Sequence, residues 1–290
     1  MEKAAGITEK NGVQGDVACD RFSDEGWETT SVHVPTEMRL SVYINHRELV
    51  SILCTPTKLN CLVIGFLATE GIISSLADVA SVRICEDDSL ADVMLTNGEY
   101  ELPTQRTLTS GCGGGATFKT EGQRVDSDLV VTPAEVFSAM RKLQEQMELY
   151  RLSGGVHTSA LSDTKDLLVV TEDIGRHNTL DKVQGESLLR GIATKDRLLL
   201  TTGRVSSEML LKAAKMQSPI VVSRHTPTGS AVSLARDLGI TLVGHVRGNR
   251  LWVYSNPERL GRSSYGARGI RPKTRTQPMQ KKSVEVRESG

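Results

Sequence analysis

The sequence predicts an α/β protein: a mostly parallel sheet covered by helices on both faces, joined to a smaller β-rich N-terminal part. Three observations carry this. From residue 166 onward, continuous Val/Ile/Leu runs at 167–170, 198–201, 220–223 and 240–246 alternate with helical segments at 177–190, 206–216 and 229–238. Strands buried on both faces read as such runs, and regular alternation with helices is the rhythm of βαβ units. Before residue 100 the pattern is instead one of short strands bounded by turns. A length of 290 residues gives one large domain or two small ones ample material for a packed core.

In chain order, residues 1–30 are polar, contain glycine and lack periodicity, and are expected to form a flexible arm. Residues 31–130 make the N-terminal part. Within it, 40–44 and 49–54 are strands around an Asn45-His46 hairpin turn. Leu59, Leu62, Val63, Phe66 and Leu67 form a helical stripe over 59–70 that Gly71 stops. Weaker strands are expected at 79–85 and 93–95, and a loop at 106–118. Residues 131–260 are the αβα part. It opens on Thr132-Pro133-Ala134-Glu135, a capping box with proline at the first helical position. That helix carries Val136, Met140, Leu143 and Met147 on one face and runs to Ser153-Gly154-Gly155; ordinary core packing accounts for its methionines. Residues 261–290 hold an excess of Lys and Arg over Glu285 and Glu288. They are expected to be a flexible, solvated basic tail rather than a nucleic-acid contact.

Composition excludes several function classes. Lys plus Arg number 35 and Asp plus Glu number 35, so overall charge does not drive DNA binding. Aromatics at 4% are too few for a base-stacking platform, and no nucleic-acid partner is expected. The apolar runs fall far short of the roughly 20 residues a membrane span needs, and residues 1–16 lack the apolar core of a secretory signal. Cys19, Cys54, Cys61, Cys85 and Cys112 are an odd set with neither CxxC nor Cys/His spacing. Neither a disulfide framework nor a structural zinc site is expected, and a reducing cytoplasm is the natural setting.

Cys112 lies in Thr109-Ser110-Gly111-Cys112-Gly113-Gly114-Gly115, too rich in glycine for a regular helix or strand. Such a loop moves, or converges several N–H groups on one point and so stabilises an anion such as a thiolate. On the residues alone, a nucleophilic thiol and an inert one stand level. A phosphate-loop reading is weak, because no GxxxxGK[ST] is present and no GxGxxG opens a helix.

The polar turns say more. Arg176, Arg204, Arg247 and Arg250 stand at strand ends beside Gly175, Gly203 and Gly248. Ligands bind at the carboxyl edge of such sheets, and four guanidinium forks there favour an extended anionic ligand over separate salt bridges. A further polar segment, 224–228, follows the third run, and Ser206 can cap the helix after Arg204. His177 with Asp181 and Asn178 with Lys182 are i, i+4 pairs, either a binding face or a helix-start network. His157 is a base for Cys112, a phosphate partner or a histidine satisfied by backbone. Cys112, His157 and Asp173 would form a thiol-hydrolase triad only if the fold brought them together.

At this point the sequence resembles the formate dehydrogenase accessory sulfurtransferase family (FdhD) from about residue 42 to 260. The resemblance is carried by Gly65-Phe66-Leu67-Ala68-Thr69-Glu70-Gly71-Ile72, Ser110-Gly111-Cys112-Gly113 and Gly154-Gly155-Val156-His157-Thr158. It continues through Glu172-Asp173-Ile174-Gly175-Arg176-His177-Asn178 with Asp181-Lys182, then Gly203-Arg204-Val205-Ser206-Ser207-Glu208-Met209. Thr226-Pro227-Thr228 and the stretch 239–248 follow. The resemblance implies a three-layer αβα fold like that of cytidine deaminases, without their zinc signature. It implies a cytoplasmic homodimer that takes sulfur from a cysteine desulfurase as a persulfide on Cys112. The sulfur passes to a molybdenum or tungsten bis(molybdopterin guanine dinucleotide) cofactor, bound as substrate, for formate dehydrogenase; no metal of the chain's own is implied. His245, Val246, Arg247, Gly248, Asn249 and Arg250 match the segment that contacts this cofactor; Arg176, His177, Asn178 and Arg204, from the strand-end turns, are further candidates for its binding. A second cysteine that many members carry three positions after the first is Gly115 here, which leaves a one-thiol relay. A cofactor chaperone that delivers without sulfurating is the alternative.

Overall fold

The computed structural model of the chain describes residues 12–85, 87, 89–98, 106–108, 116–118 and 123–262. It begins with an antiparallel ribbon, β1 (Val13–Ser23) and β2 (Gly26–Pro35). This corrects the flexible arm expected over residues 1–30: from Val13 the chain is paired. Local cross-strand contacts hold it, with Phe22 against Trp27 at 5.1 Å, Thr29 Oγ1 donating to Asp20 at 2.8 Å, and Arg21 paired with Glu28. Such pairs leave no buried periodicity for a sequence reading to find.

The hairpin β3 (Met38–Ile44) and β4 (Arg47–Cys54) turns at Asn45 and His46 as expected, with left-handed φ of 48° and 62°. The helix α1 (Leu59–Thr69) follows, then β5 (Val79–Cys85) and β6 (Leu90–Leu95). The four strands make one sheet of order β4-β3-β6-β5, and Leu40, Val42 and Val93 pack there with Leu62, Phe66 and Leu67 of α1. Burial of nine of its 11 residues makes α1 an interior helix rather than an amphipathic one. Two short strands, β7 (Arg106–Leu108) and β8 (Ala116–Phe118), pair antiparallel with Leu108 opposite Ala116. The segment expected as one loop therefore begins and ends in strand.

In α2 (Pro133–Glu145) the expected capping box is present. Glu135 N donates to Thr132 Oγ1 at 3.2 Å and Thr132 N to the Glu135 carboxylate at 2.6 Å. The helix does not continue to residue 153. It stops at Glu145, and α3 (Glu148–Ser153) starts anew. The Glu172 carboxylate causes the break, taking the amides of Leu149 at 2.7 Å and Tyr150 at 3.1 Å and so satisfying a fresh helix start.

The second sheet has the order β10-β9-β11-β12-β13-β14. Its strands are β9 (His157–Ser162), β10 (Leu167–Asp173), β11 (Leu198–Thr201), β12 (Ile220–Ser223), β13 (Thr241–Arg247) and β14 (Arg250–Val253). The helices α4 (Arg176–Leu189), α5 (Ser207–Lys215) and α6 (Gly229–Asp237) alternate with them. Leu161, Leu199, Val221 and Leu242 pack with Leu180, Met209 and Ala235 on one face. Ala160, Leu200, Val222 and Val243 pack with Val136, Met140 and Leu143 on the other. The expected layering of helices on both faces is therefore present.

The mostly parallel sheet is not. Only β11–β12 and β12–β13 are parallel pairs; β9 runs against both neighbours, and β14 against β13. Buried hydroxyls concealed β9 from the sequence reading. Ser159 Oγ bonds to Thr179 Oγ1 at 2.6 Å and Thr201 Oγ1 at 3.0 Å, so a polar residue occupies a core position with its hydrogen bonds satisfied. Even so, β10, β11, β12 and β13 point the same way, and their carboxyl ends share one edge.

The two sheets are joined where α1 crosses α4. A Cβ at Gly65 would lie 1.7 Å from the Asp181 carbonyl oxygen, and one at Gly185 would lie 1.8 Å from that of Cys61. Only glycine permits this approach. Buried ion pairs close the same seam. Lys182 Nζ lies 2.6 Å from Asp173, both side chains being fully buried, and also donates to Thr55 O at 3.1 Å. Asp173 accepts from Thr55 N, Gly175 N and Asn178 Nδ2. Lys212 reaches Glu70 and Asp181, each at 2.8 Å, and Thr69 Oγ1 at 2.9 Å. Burial alone would lower the Lys212 pKa, but the carboxylates of Asp181 and Glu70 hold it above its ordinary value.

Two stability predictions follow from this seam. Gly65→Ala is expected to destabilise the chain by about 3 kcal/mol, the upper end for overpacking, because two backbones must separate. Lys182→Met strands a buried carboxylate and should remove about 3–5 kcal/mol, with partial recovery when Asp173→Asn is added. Urea unfolding measures both, and unchanged midpoints would contradict the seam.

Candidate functional site

The common edge gathers the carboxyl ends of β10 to β13 with the first residues of β9 and β14. Each turn there is pinned by a side chain of the preceding strand or a neighbour. Gly203 N donates to Thr201 Oγ1 at 3.1 Å, and Ser223 Oγ donates to Gly203 O at 2.6 Å. His225 N donates to Ser223 Oγ at 2.9 Å. Thr158 and Thr202 tie β9 to the turn after β11, with Thr158 N donating to Thr202 Oγ1 and Thr202 N to Thr158 O, each at 2.9 Å.

A cleft of about 280 Å³ opens on this edge. Met147, Tyr150, Gly154, Gly155 and Val156 form one wall; His157, Thr202, Arg224 and His225 form the other. The first wall exists because Glu172 holds the start of α3 in place. Sequence reading missed Met147 and Tyr150 as site residues, because it carried one helix through them. Arg224 and His225 were visible only as a polar segment, and the exposed Trp252, 4.4 Å from the His245 ring, carried no signal at all.

The edge is strongly cationic. Burial lowers the His157 pKa first, then the charges of Arg176 and His225 lower it further. Burial likewise leads for His225, followed by Arg247 and Arg224. Both imidazoles are therefore neutral at pH 7 inside a positive field, ready to bond a ligand through a ring nitrogen. His177 Nε2 lies 3.1 Å from Glu208 and 3.3 Å from Ser206 Oγ. Bonding to His177 holds the Glu208 carboxyl below its ordinary range. Guanidiniums beside neutral histidines, with Arg247 exposed and Arg224 half-buried, suit phosphate or another extended anion.

The residues singled out by sequence are placed as follows. Arg204, Arg247, Asn249 and Arg250 are exposed at the edge, with Arg247 opposite Arg250 across the turn at Gly248, whose φ is 56°. His245 bonds Thr226 Oγ1 through Nε2 at 2.8 Å. Arg176 and Asn178 are buried at the start of α4, and Asn178 Nδ2 is engaged by Leu53 O and Asp173. Asp181 and Lys182 belong to the interhelical seam, so of the two readings for that i, i+4 cluster the structural network describes them. The Val246 side chain lies in the core, leaving only its backbone for a ligand. Cys112 lies outside the described residues. Among the described residues, no cluster of three His, Cys, Asp or Glu is placed to hold a metal, and no helix is long and apolar enough to cross a membrane.

Folded His157 titrates below the ordinary 6.5. Between the two values the unfolded chain binds more protons, so stability falls as pH drops through 6.5. The urea midpoint should therefore decline from about pH 7.5 to about pH 5.5, and less steeply in His157→Gln. Parallel slopes would show that His157 is not the residue buried neutral.

Known proteins resemble this chain over most of its length. The model of the FdhD/NarQ family matches residues 35–261. A sulfur carrier protein FdhD of Listeria innocua serovar 6a is 38% identical over 252 residues, covering 83% of this chain and 96% of that one. The protein of the same name in Staphylococcus aureus strain MRSA252 is 37% identical over 248 residues, covering 83% and 94%. A crystal structure described as a formate dehydrogenase accessory protein, from Desulfotalea psychrophila, superimposes with a TM-score of 0.70. It has 27% identity and covers 84% of this chain and 98% of that one.

Proposed function

This chain belongs to the FdhD/NarQ family, and from that premise we propose that it carries sulfur in the maturation of formate dehydrogenase. The observation that bears most weight is its 38% identity, over 83% of its length, to a sulfur carrier protein. The layering of helices about the larger sheet fits the cytidine-deaminase-like scaffold that the family implies.

In this reading Cys112 is the carrier. Its thiolate attacks the outer sulfur of a persulfide on a cysteine desulfurase; the donor S–S bond breaks, the donor leaves as a thiolate, and Cys112 keeps the outer sulfur. Glycines on both sides of Cys112 suit a loop that must visit a donor and then a recipient. The recipient is a molybdenum or tungsten bis(molybdopterin guanine dinucleotide), held as substrate by the cationic edge. Arg204, Arg224, Arg247 and Arg250 supply forks for its phosphates, and neutral His157 and His225 add hydrogen bonds. The carrier acts as a homodimer in the reducing cytoplasm, and its contacts with desulfurase and formate dehydrogenase are transient.

Intact-protein mass spectrometry after incubation with a cysteine desulfurase and cysteine tests the relay. The chain should gain the mass of one sulfur atom, and Cys112→Ser should not. Arg247→Ala with Arg250→Ala should still gain sulfur while binding a guanine dinucleotide at least about tenfold more weakly, the loss expected from charge-assisted hydrogen bonds. No gain on the unmodified chain, with binding intact, would leave a chaperone that delivers without sulfurating.

A further inference from the structure

We propose that the ribbon β1–β2 is the docking strip for the chain's own basic tail, residues 263–290. This surface is independent of the sulfur-carrier reading. The base of the ribbon packs on α3, but its outer half is uncovered: residues 18–23 of β1 are all exposed, and Phe22 and Trp27 near its tip are 67% and 75% exposed. Neither β1 nor β2 pairs with a third strand among the described residues. A two-stranded ribbon whose outer half has no covering layer is marginal in water there, and its open edges favour addition of another strand.

Charge selects the occupant. The ribbon carries Asp16, Asp20, Asp24, Glu25 and Glu28 against Arg21 alone, and the tail carries seven Lys and Arg against Glu285 and Glu288. These oppositely charged segments flank the family match at 35–261, one before it and one after. Reach is sufficient. The tail leaves beside the start of α2, where Val131 N donates to Arg259 O at 2.8 Å. The ribbon base sits past the other end of α2, where a Cβ on Gly155 would meet Pro35 at 2.6 Å. The 13 residues of α2 span about 20 Å, whereas the 28 residues of the tail extend to roughly 90 Å.

The tail also has the pattern of an added edge strand. Ser283-Val284-Glu285-Val286-Arg287 alternates, offering Val284 and Val286 to the Phe22–Trp27 face and Lys281 and Lys282 to the acidic turn. Individual exposed charge pairs are weak, but a tether holds the tail at an effective concentration of about millimolar, so the docked state forms at low salt and loosens as salt screens it.

Zero-length carbodiimide coupling on the full-length chain tests this, using an equal mixture of unlabelled and nitrogen-15-labelled protein. Lys273, Lys281 or Lys282 should couple to Asp20, Asp24, Glu25 or Glu28 within one chain. The yield should fall at least about fivefold on raising salt from about 20 mM to about 0.5 M. It should fall likewise in Asp24→Asn/Glu25→Gln/Glu28→Gln. Arg268→Gln/Arg271→Gln/Arg275→Gln should lower it too, because this variant keeps the lysines and leaves the folded core untouched. Amide exchange across β2 in the unmodified chain should quicken at high salt. Coupling mainly between light and heavy chains, coupling to carboxylates elsewhere, or coupling insensitive to both variants overturns the proposal.

Discussion

Everything in this molecule hangs on two helices touching backbone to backbone. Gly65 and Gly185 bring α1 and α4 close enough that any side chain at either position would collide with a carbonyl oxygen. The smaller sheet packs on α1 and the larger sheet on α4, so this crossing makes one body of two cores. Lys182 and Lys212, each among buried carboxylates and hydroxyls, fix the register of the crossing. Buried pairs of this kind add little net stability against an apolar alternative, but breaking one is severe, so they specify one arrangement.

The seam also decides which charges reach solvent. Within α4, Asp181 and Lys182 turn into the interior, where their partners neutralise them, and His177 remains near the edge against Glu208. Asp173, at the carboxyl end of its strand, is consumed by Lys182 and Asn178 rather than presented to a ligand. Glu172 is taken up by the amides at the start of α3 and Glu208 by His177, so the carboxylates near the edge are engaged while Arg204, Arg247 and Arg250 stay exposed. A site of that composition suits an anion far better than it suits acid–base hydrolysis.

Sulfur transfer puts opposing demands on one chain. In the proposed relay a travelling thiol meets a cargo held still, and the turns after β11 and β12 are pinned by Thr201, Ser223 and Thr202.

The sequence by itself determined the elements marked by apolar periodicity, a cap or a turn, but not the ribbon β1–β2, which has none of these. The Asn45-His46 turn, the Thr132 box, α1 with its stop, and the runs that became β10 to β13 are dictated by periodicity, caps and backbone preferences within a few residues, and the ordered blocks from residue 65 to 248 carried the resemblance to the family. What only the tertiary structure decided rests on partners distant in the chain. Glu172 starts α3 by capping amides 23 and 22 residues away, and β9 became a central strand because its hydroxyls found Thr179 and Thr201. Asp181 was drawn inward by Lys212, 31 residues on. A buried polar group is read correctly only once its partner is known, and that partner is supplied by the fold.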